Sequence, residues 1–168
     1  MRRPFIHFLA LSLLLSLPSM VTSNSEFIAT DATFALTLPD GWRLMSEADR
    51  YHRFAGEINE TVAPSLHVVL DEPLNPLYLE DAVRMVEDST RFSDKGLMLM
   101  QDMQDRLGGE EAWRFEFSYR ESGQVMKRLQ WVTVHRDRVY HMYLDVPDEW
   151  YWNNRHVVDL FVTSFRCL

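Results

Sequence analysis

Side chains able to do chemistry are spread thinly through this sequence. Beyond the first two dozen residues stand five histidines, His52, His67, His135, His141 and His156, and none pairs with another at metal-ligand spacing on one predicted element. No metal and no cofactor is therefore expected. There is no Gly-rich phosphate loop, no His-Glu-x-x-His, no Gly-x-Ser-x-Gly and no cysteine pair, so the common phosphate, zinc, serine-hydrolase and dithiol chemistries lack their residues. Asn59-Glu60-Thr61 matches a glycosylation sequon in letters and is read as a chance match in a loop. The only cysteine, Cys167, cannot close an intrachain bridge. It reads as a small apolar residue finishing the last element, with an intermolecular disulfide as the alternative.

Two groups stand slightly above this background. Val139, His141, Tyr143 and Asp145 share one side of a predicted strand, opposite the more apolar Tyr140, Met142, Leu144 and Val146. If register brings that side beside Arg114, Glu116 or Arg120, the result is a polar sheet face that titrates near neutral pH. The plainer reading is a solvated face with cross-strand ion pairs, each worth at most about 1 kcal/mol. The second group is Trp150-Tyr151-Trp152. Three consecutive helical positions sweep about 200°, wider than one apolar stripe buries. At least one ring should therefore reach a loop junction or the surface, where clustered aromatics suit a protein partner. The alternative has all three roofing the sheet edge with Trp42 or Trp131.

These residues need elements to hold them. Residues 24–32 read as a polar lead, and Phe34 to Leu38 alternates like a half-buried strand stopped by Pro39-Asp40-Gly41. Short strands are expected at 51–56 and 66–70, where Leu66, Val68 and Leu70 share a face, with a loop from Glu57 to Pro64 between them. Asn75 and Pro76 are a helix start, and Leu79, Ala82, Val83 and Val86 form its apolar stripe up to about Ser89 or Thr90. From Leu97 the period changes to two. Gly108-Gly109 reverses the chain, and Trp113, Phe115, Phe117 and Tyr119 alternate with Arg114, Glu116, Ser118 and Arg120, which makes the aromatic side core. Strands at 125–135 and 139–146, turning at Ser122-Gly123 and Arg136-Asp137, complete an antiparallel meander. Asp148 is placed to cap a closing helix with Val157, Val158, Leu160, Phe161 and Phe165 on its apolar face. The class is α+β, a mainly antiparallel β-sheet packed by helices.

The amino-terminal residues bear on compartment. Arg2 and Arg3, an apolar run from Phe5 to Leu17 and small residues around Ser23 have the order of a secretory signal peptide. The run is too short for a membrane span, which needs about 20 apolar residues, and without a cysteine at the cleavage point no lipid anchor is expected. The Arg2-Arg3 pair faintly echoes a twin-arginine signal, but the immediate apolar run favours Sec export. Residues 1–23 are thus expected to be removed, leaving 24–168 as one domain in the periplasm or outside the cell. With Arg2 and Arg3 removed from 17 basic residues, 15 face 25 acidic ones, a net charge of −10. Such a chain repels phosphate backbones and anionic lipid, so nucleic acid and direct membrane binding are poor partners.

The order of Leu38-Pro39-Asp40-Gly41-Trp42, a middle helix, a hairpin at Gly108-Gly109, a strand pair turning near Asp137 and a helix closing in Ser164-Phe165-Arg166 resembles the PsbP-like superfamily, most closely its bacterial DcrB-like envelope members. The resemblance runs over about 34–166. It implies an α/β/α sandwich and mostly non-enzymatic binding roles, such as extrinsic photosystem subunits, a nuclear GTPase-binding factor and secretion-related chaperones. DcrB-like proteins are typically lipid-anchored, and this chain lacks the cysteine for that. The leading expectation is a non-catalytic accessory protein of the bacterial envelope, monomer or weak dimer, engaging another envelope protein through Trp150, Tyr151 and Trp152. The alternative is a small-ligand carrier or hydrolase using His141, Tyr143, Asp145, Arg114 and Glu116.

Overall fold

The computed structural model describes residues 24–57, 62–73, 78–91 and 96–168. The expected signal peptide, the Asn75 and Pro76 helix start and the Asn59-Glu60-Thr61 sequon lie outside them. The chain order is β1 (Ser25–Ile28), β2 (Phe34–Leu38), β3 (Arg43–Ala48), β4 (Tyr51–Ala55), β5 (Ser65–Asp71), α1 (Leu79–Arg91), β6 (Met98–Leu107), β7 (Glu110–Glu121), β8 (Gln124–His135), β9 (Arg138–Pro147), α2 (Asp148–Asn153), α3 (Arg155–Ser164) and β10 (Arg166–Cys167).

Seven strands form one antiparallel sheet in the order β3-β4-β5-β9-β8-β7-β6, and β2 lies between β1 and β10 in a second, small sheet. The meander comes from three tight reversals. Gly108-Gly109, Ser122-Gly123 and Arg136-Asp137 all have positive φ at both central residues, the backbone hand that matches strand twist in a two-residue hairpin. At Gly108 the glycine is obligatory for a further reason. Its N–H donates to the Val162 carbonyl at 2.8 Å, and a Cβ there would lie 1.7 Å from the Phe165 carbonyl oxygen. The β6–β7 turn is thereby hooked under the end of α3.

Each face of the large sheet has its own cover. On one face Phe115, Phe117, Val132 and Val139 pack with Ala82 and Val86 of α1, so the expected stripe of that helix meets the expected aromatic side of β7. Trp113 is only half-buried at the border of this layer. On the other face Leu66, Val68, Leu129, Trp131, Met142 and Leu144 meet Phe34 and Leu36 of the small sheet and Val157, Val158 and Phe161 of α3. This is the α+β, mainly antiparallel architecture that the sequence pattern implies, with helices on both sides of the sheet.

The structure departs from the pattern at the periphery. The polar lead contains β1, which is a strand because Ser25 to Ile28 pairs residue by residue with Leu38 to Ala35. β3 was not expected either: every residue in it is exposed and it carries helix-favouring Leu, Met, Glu and Ala, yet pairing with β4 through a bulge near Met45 makes it the sheet edge. The closing helix is two helices. Asn154, at φ −125° and ψ 31°, breaks it, and its side-chain amide donates to the Trp150 carbonyl at 2.9 Å. Asp148 is not a cap; Pro147 occupies that position and no side chain bonds the helix start.

Candidate functional site

The expected polar sheet face is divided by register. Tyr143 stands in a row with Phe115, Gln130, His67 and Arg53, and Asp145 in a row with Phe117, Arg128 and Ser65. Arg114 pairs instead with Trp131 and Glu116 with Leu129, so both project to the opposite face of the sheet. The grouping of His141, Tyr143 and Asp145 with Arg114 and Glu116 is therefore corrected: a one-residue difference in pairing sends a side chain to the other side.

What gathers around Tyr143 and Asp145 is a set of residues from β4, β5 and β8. Arg128 makes a fork-shaped pair with Asp145 at 2.8 and 2.7 Å, and its guanidinium lies 4.6 Å from the centre of the Tyr143 ring. His67 stacks on the other side of Tyr143, 4.5 Å away and 8° from parallel. Its Nδ1 is 2.6 Å from the Tyr51 hydroxyl and its Nε2 is 3.1 Å from the Ser65 hydroxyl. Burial, with Tyr51 next in effect, pushes the Tyr143 phenol up to about 12. Burial acts to lower the Arg128 value, but its bonds to Asp145 outweigh that and leave the guanidinium above its ordinary range. A cleft of about 450 Å³ opens over this network, with Arg53, Ser65, His67 and Asp145 in its lining.

His141 sits one row away and does not line that cleft. Its Nε2 is 3.3 Å from an Asp71 carboxylate oxygen, and that bond holds Asp71 below the usual carboxylate range against the opposing effect of burial. Sequence reasoning missed His67, Ser65 and Tyr51. The usable signal was the second face of β5, where Ser65, His67 and Val69 alternate with the apolar set Leu66, Val68 and Leu70.

The three aromatics of α2 go three ways. Tyr151 is buried, Trp150 is half-buried with its ring edge-on to Trp42 at 6.2 Å, and Trp152 is 58 % exposed. Trp152 is surrounded by cations: Lys127 Nζ lies 5.5 Å and the Arg155 guanidinium 5.6 Å from its ring centre, and both also approach Tyr151. Lys127 also links this surface to the displaced pair, because it lies 3.8 Å from Glu116, which in turn pairs with Arg114 at 3.0 Å. Arg114 and Glu116 thus belong with the aromatic helix rather than with His141.

Among the described residues no three His, Cys, Asp or Glu side chains gather where they could hold a metal ion, and no helix is long and apolar enough to cross a membrane. Cys167 is half-buried in β10, and burial pushes its thiol up to about 12.

No family model matches the sequence, and no curated protein is significantly similar to it. Solved structures do match. LpqN, involved in cell envelope biogenesis of Mycobacterium tuberculosis, superposes with a TM-score of 0.67 at 16 % identity, over 86 % of this chain and 90 % of its own. The cyanobacterial PsbP protein, CyanoP, of Synechocystis sp. PCC 6803 gives 0.67 at 15 % identity, over 90 % and 96 %. A Mog1 mutant gives 0.58 at 13 %, over 86 % and 96 %. At such identities the likeness is one of fold and leaves the site to be argued from its own residues. Layer order, meander and coverage together show that the chain has the PsbP-like fold.

Proposed function

We propose that this is a non-catalytic accessory protein of the cell envelope that binds another protein through the surface of α2 centred on Trp152. The observation that carries the reading is the placement of that ring. A tryptophan 58 % exposed, flanked by Lys127 and Arg155, has the amphipathic character of an interface anchor. The likeness in fold to LpqN, a protein of envelope biogenesis, supports the compartment. In this reading residues 1–23 direct Sec export, and the domain acts in the periplasm or outside the cell as a soluble monomer or weak dimer. The negative charge keeps it off nucleic acid and anionic membrane.

Trp152→Ala is the clean test, because Trp150 packs against Trp42 and its loss disturbs the fold as well. Partner capture by chemical cross-linking in extracts of the source envelope should disappear in Trp152→Ala while circular dichroism and melting temperature stay nearly unchanged. Undiminished capture sinks the interface.

One observation favours a second reading, a small-ligand carrier. Ser65, whose hydroxyl is bonded to His67, lines the cleft together with His67 and Asp145. The site moves with it from His141 to Ser65 and His67. A screen of small polar metabolites by thermal shift, repeated on Ser65→Ala, separates the two: a stabilising ligand lost in that variant supports the carrier.

A further inference from the structure

The α2 surface has a second side, of opposite charge. Between α2, α3 and the Pro39–Trp42 turn lies a cleft of about 500 Å³, the counterpart of the cation-clad Trp152 side. Trp42 and Trp150 line it together with Asp40, Glu57, Asn154 and His156. Among the described residues no lysine or arginine lines it. Neither carboxylate is ion-paired among the described residues; Asp40 only accepts the Gly41 N–H at 3.0 Å.

The walls are held in place before any ligand arrives. The Trp42 ring is edge-on to Phe161 at 4.8 Å, its backbone N–H donates to the Pro39 carbonyl at 3.1 Å, and the ring lies so close over Gly56 that a Cβ there would be 2.8 Å from it. Gly41, at φ +79°, does the same for the acid: a Cβ on it would meet the Glu57 Cγ at 2.9 Å. Two glycines thus let an indole and a carboxylate stem lie directly on backbone, a preorganisation that lowers the entropic cost of binding.

Aromatic faces beside unpaired carboxylates attract cations, and a planar guanidinium satisfies both at once by stacking on indole and forking onto carboxylate oxygens. We propose that this cleft takes an arginine side chain presented by an extended basic segment of the partner protein. The proposal rests on the reading of α2 as a protein-binding surface, and it adds the charge the partner must carry.

The test is a titration followed by the indole N–H resonances of Trp42 and Trp150. The probe is an acetylated, amidated heptapeptide of glycine and serine with one central arginine, compared with the same peptide carrying citrulline. Saturable shifts of both indoles are expected with arginine, at least about fivefold weaker with citrulline and in the Asp40→Asn, Glu57→Gln double variant, and unchanged in Trp152→Ala. Both replaced acids are exposed, so the fold is retained, and an unchanged near-ultraviolet dichroism confirms it. Equal binding of the citrulline peptide, no effect of the double variant, or choline binding as tightly as the arginine peptide overturns the proposal. A partner lost with Trp152→Ala but bound undiminished by the double variant overturns the arginine site and leaves the α2 reading standing.

Discussion

The Tyr143 network and the α2 surface are built from the same parts, aromatic rings beside arginine or lysine and carboxylates, and they differ in what closes them. Around Tyr143 the ring is sandwiched between His67 and Arg128, the guanidinium is forked onto Asp145, and both His67 nitrogens meet hydroxyls. On α2 one indole is 58 % exposed, and the carboxylates of the neighbouring cleft have no cation among the described residues. Internal pairing turns such a group into structure; missing pairing leaves it available to another molecule. In strands, rows of facing side chains supply the partners. A short helix at a corner of the fold has no such row.

Cutting the closed network should cost most. Asp145→Ala leaves Arg128, whose side chain is only 14 % exposed, without its counter-charge, and such a loss is worth roughly 3–5 kcal/mol; urea or thermal unfolding should show a melting temperature lower by about 10 °C. Replacing Arg128 and Asp145 together by apolar residues of similar size should recover most of it. If the single variant melts within about 2 °C of the parent, the pair is not the closed unit described.

Trp150→Ala comes next. It removes a half-buried ring from its contact with Trp42, for about 2 kcal/mol, and loosens the cleft wall. Asp71 gives a smaller effect. Its carboxyl is depressed in the fold by the bond from His141, so its contribution is complete above the unfolded value near 3.8 and is lost as pH falls through the folded one. Unfolding free energy measured from about pH 5 downward should therefore decline less steeply in Asp71→Asn than in the parent. An equally steep decline rules out the Asp71 to His141 bond as a source. Smallest of all is Trp152→Ala, within about 0.5 kcal/mol of the parent in urea unfolding. A large loss there would erase the difference between the two regions.

How much of this was legible depended on whether the signal was local. The meander was, because Gly108-Gly109 and Ser122-Gly123 punctuate segments of period two, and the α1 stripe was, because Ala82 and Val86 sit one turn apart. β3 was not, since Arg43 to Ala48 is exposed throughout and owes its conformation to β4 alone. β10 has two residues, too few for any period, and exists because Ala35 and Phe34 face it. At the sites the same division holds. The sequence pattern implied that at least one α2 ring would reach the surface, but Arg114 and Glu116 needed the pairing of β7 with β8 to be placed. Nothing near His141 in sequence announced Arg128 or His67.

The small sheet carries a consequence for how the chain assembles. Its middle strand, β2, must hold β1 on one side and β10 on the other, and Leu168 donates its N–H to the Thr33 carbonyl at 2.9 Å. Partners some 130 residues apart close it. Any process that delivers the polypeptide amino end first therefore leaves Phe34, a core residue in the finished domain, waiting without its cover until Phe165 to Leu168 emerge. The domain cannot complete itself by halves; Phe165 to Leu168 act as the latch.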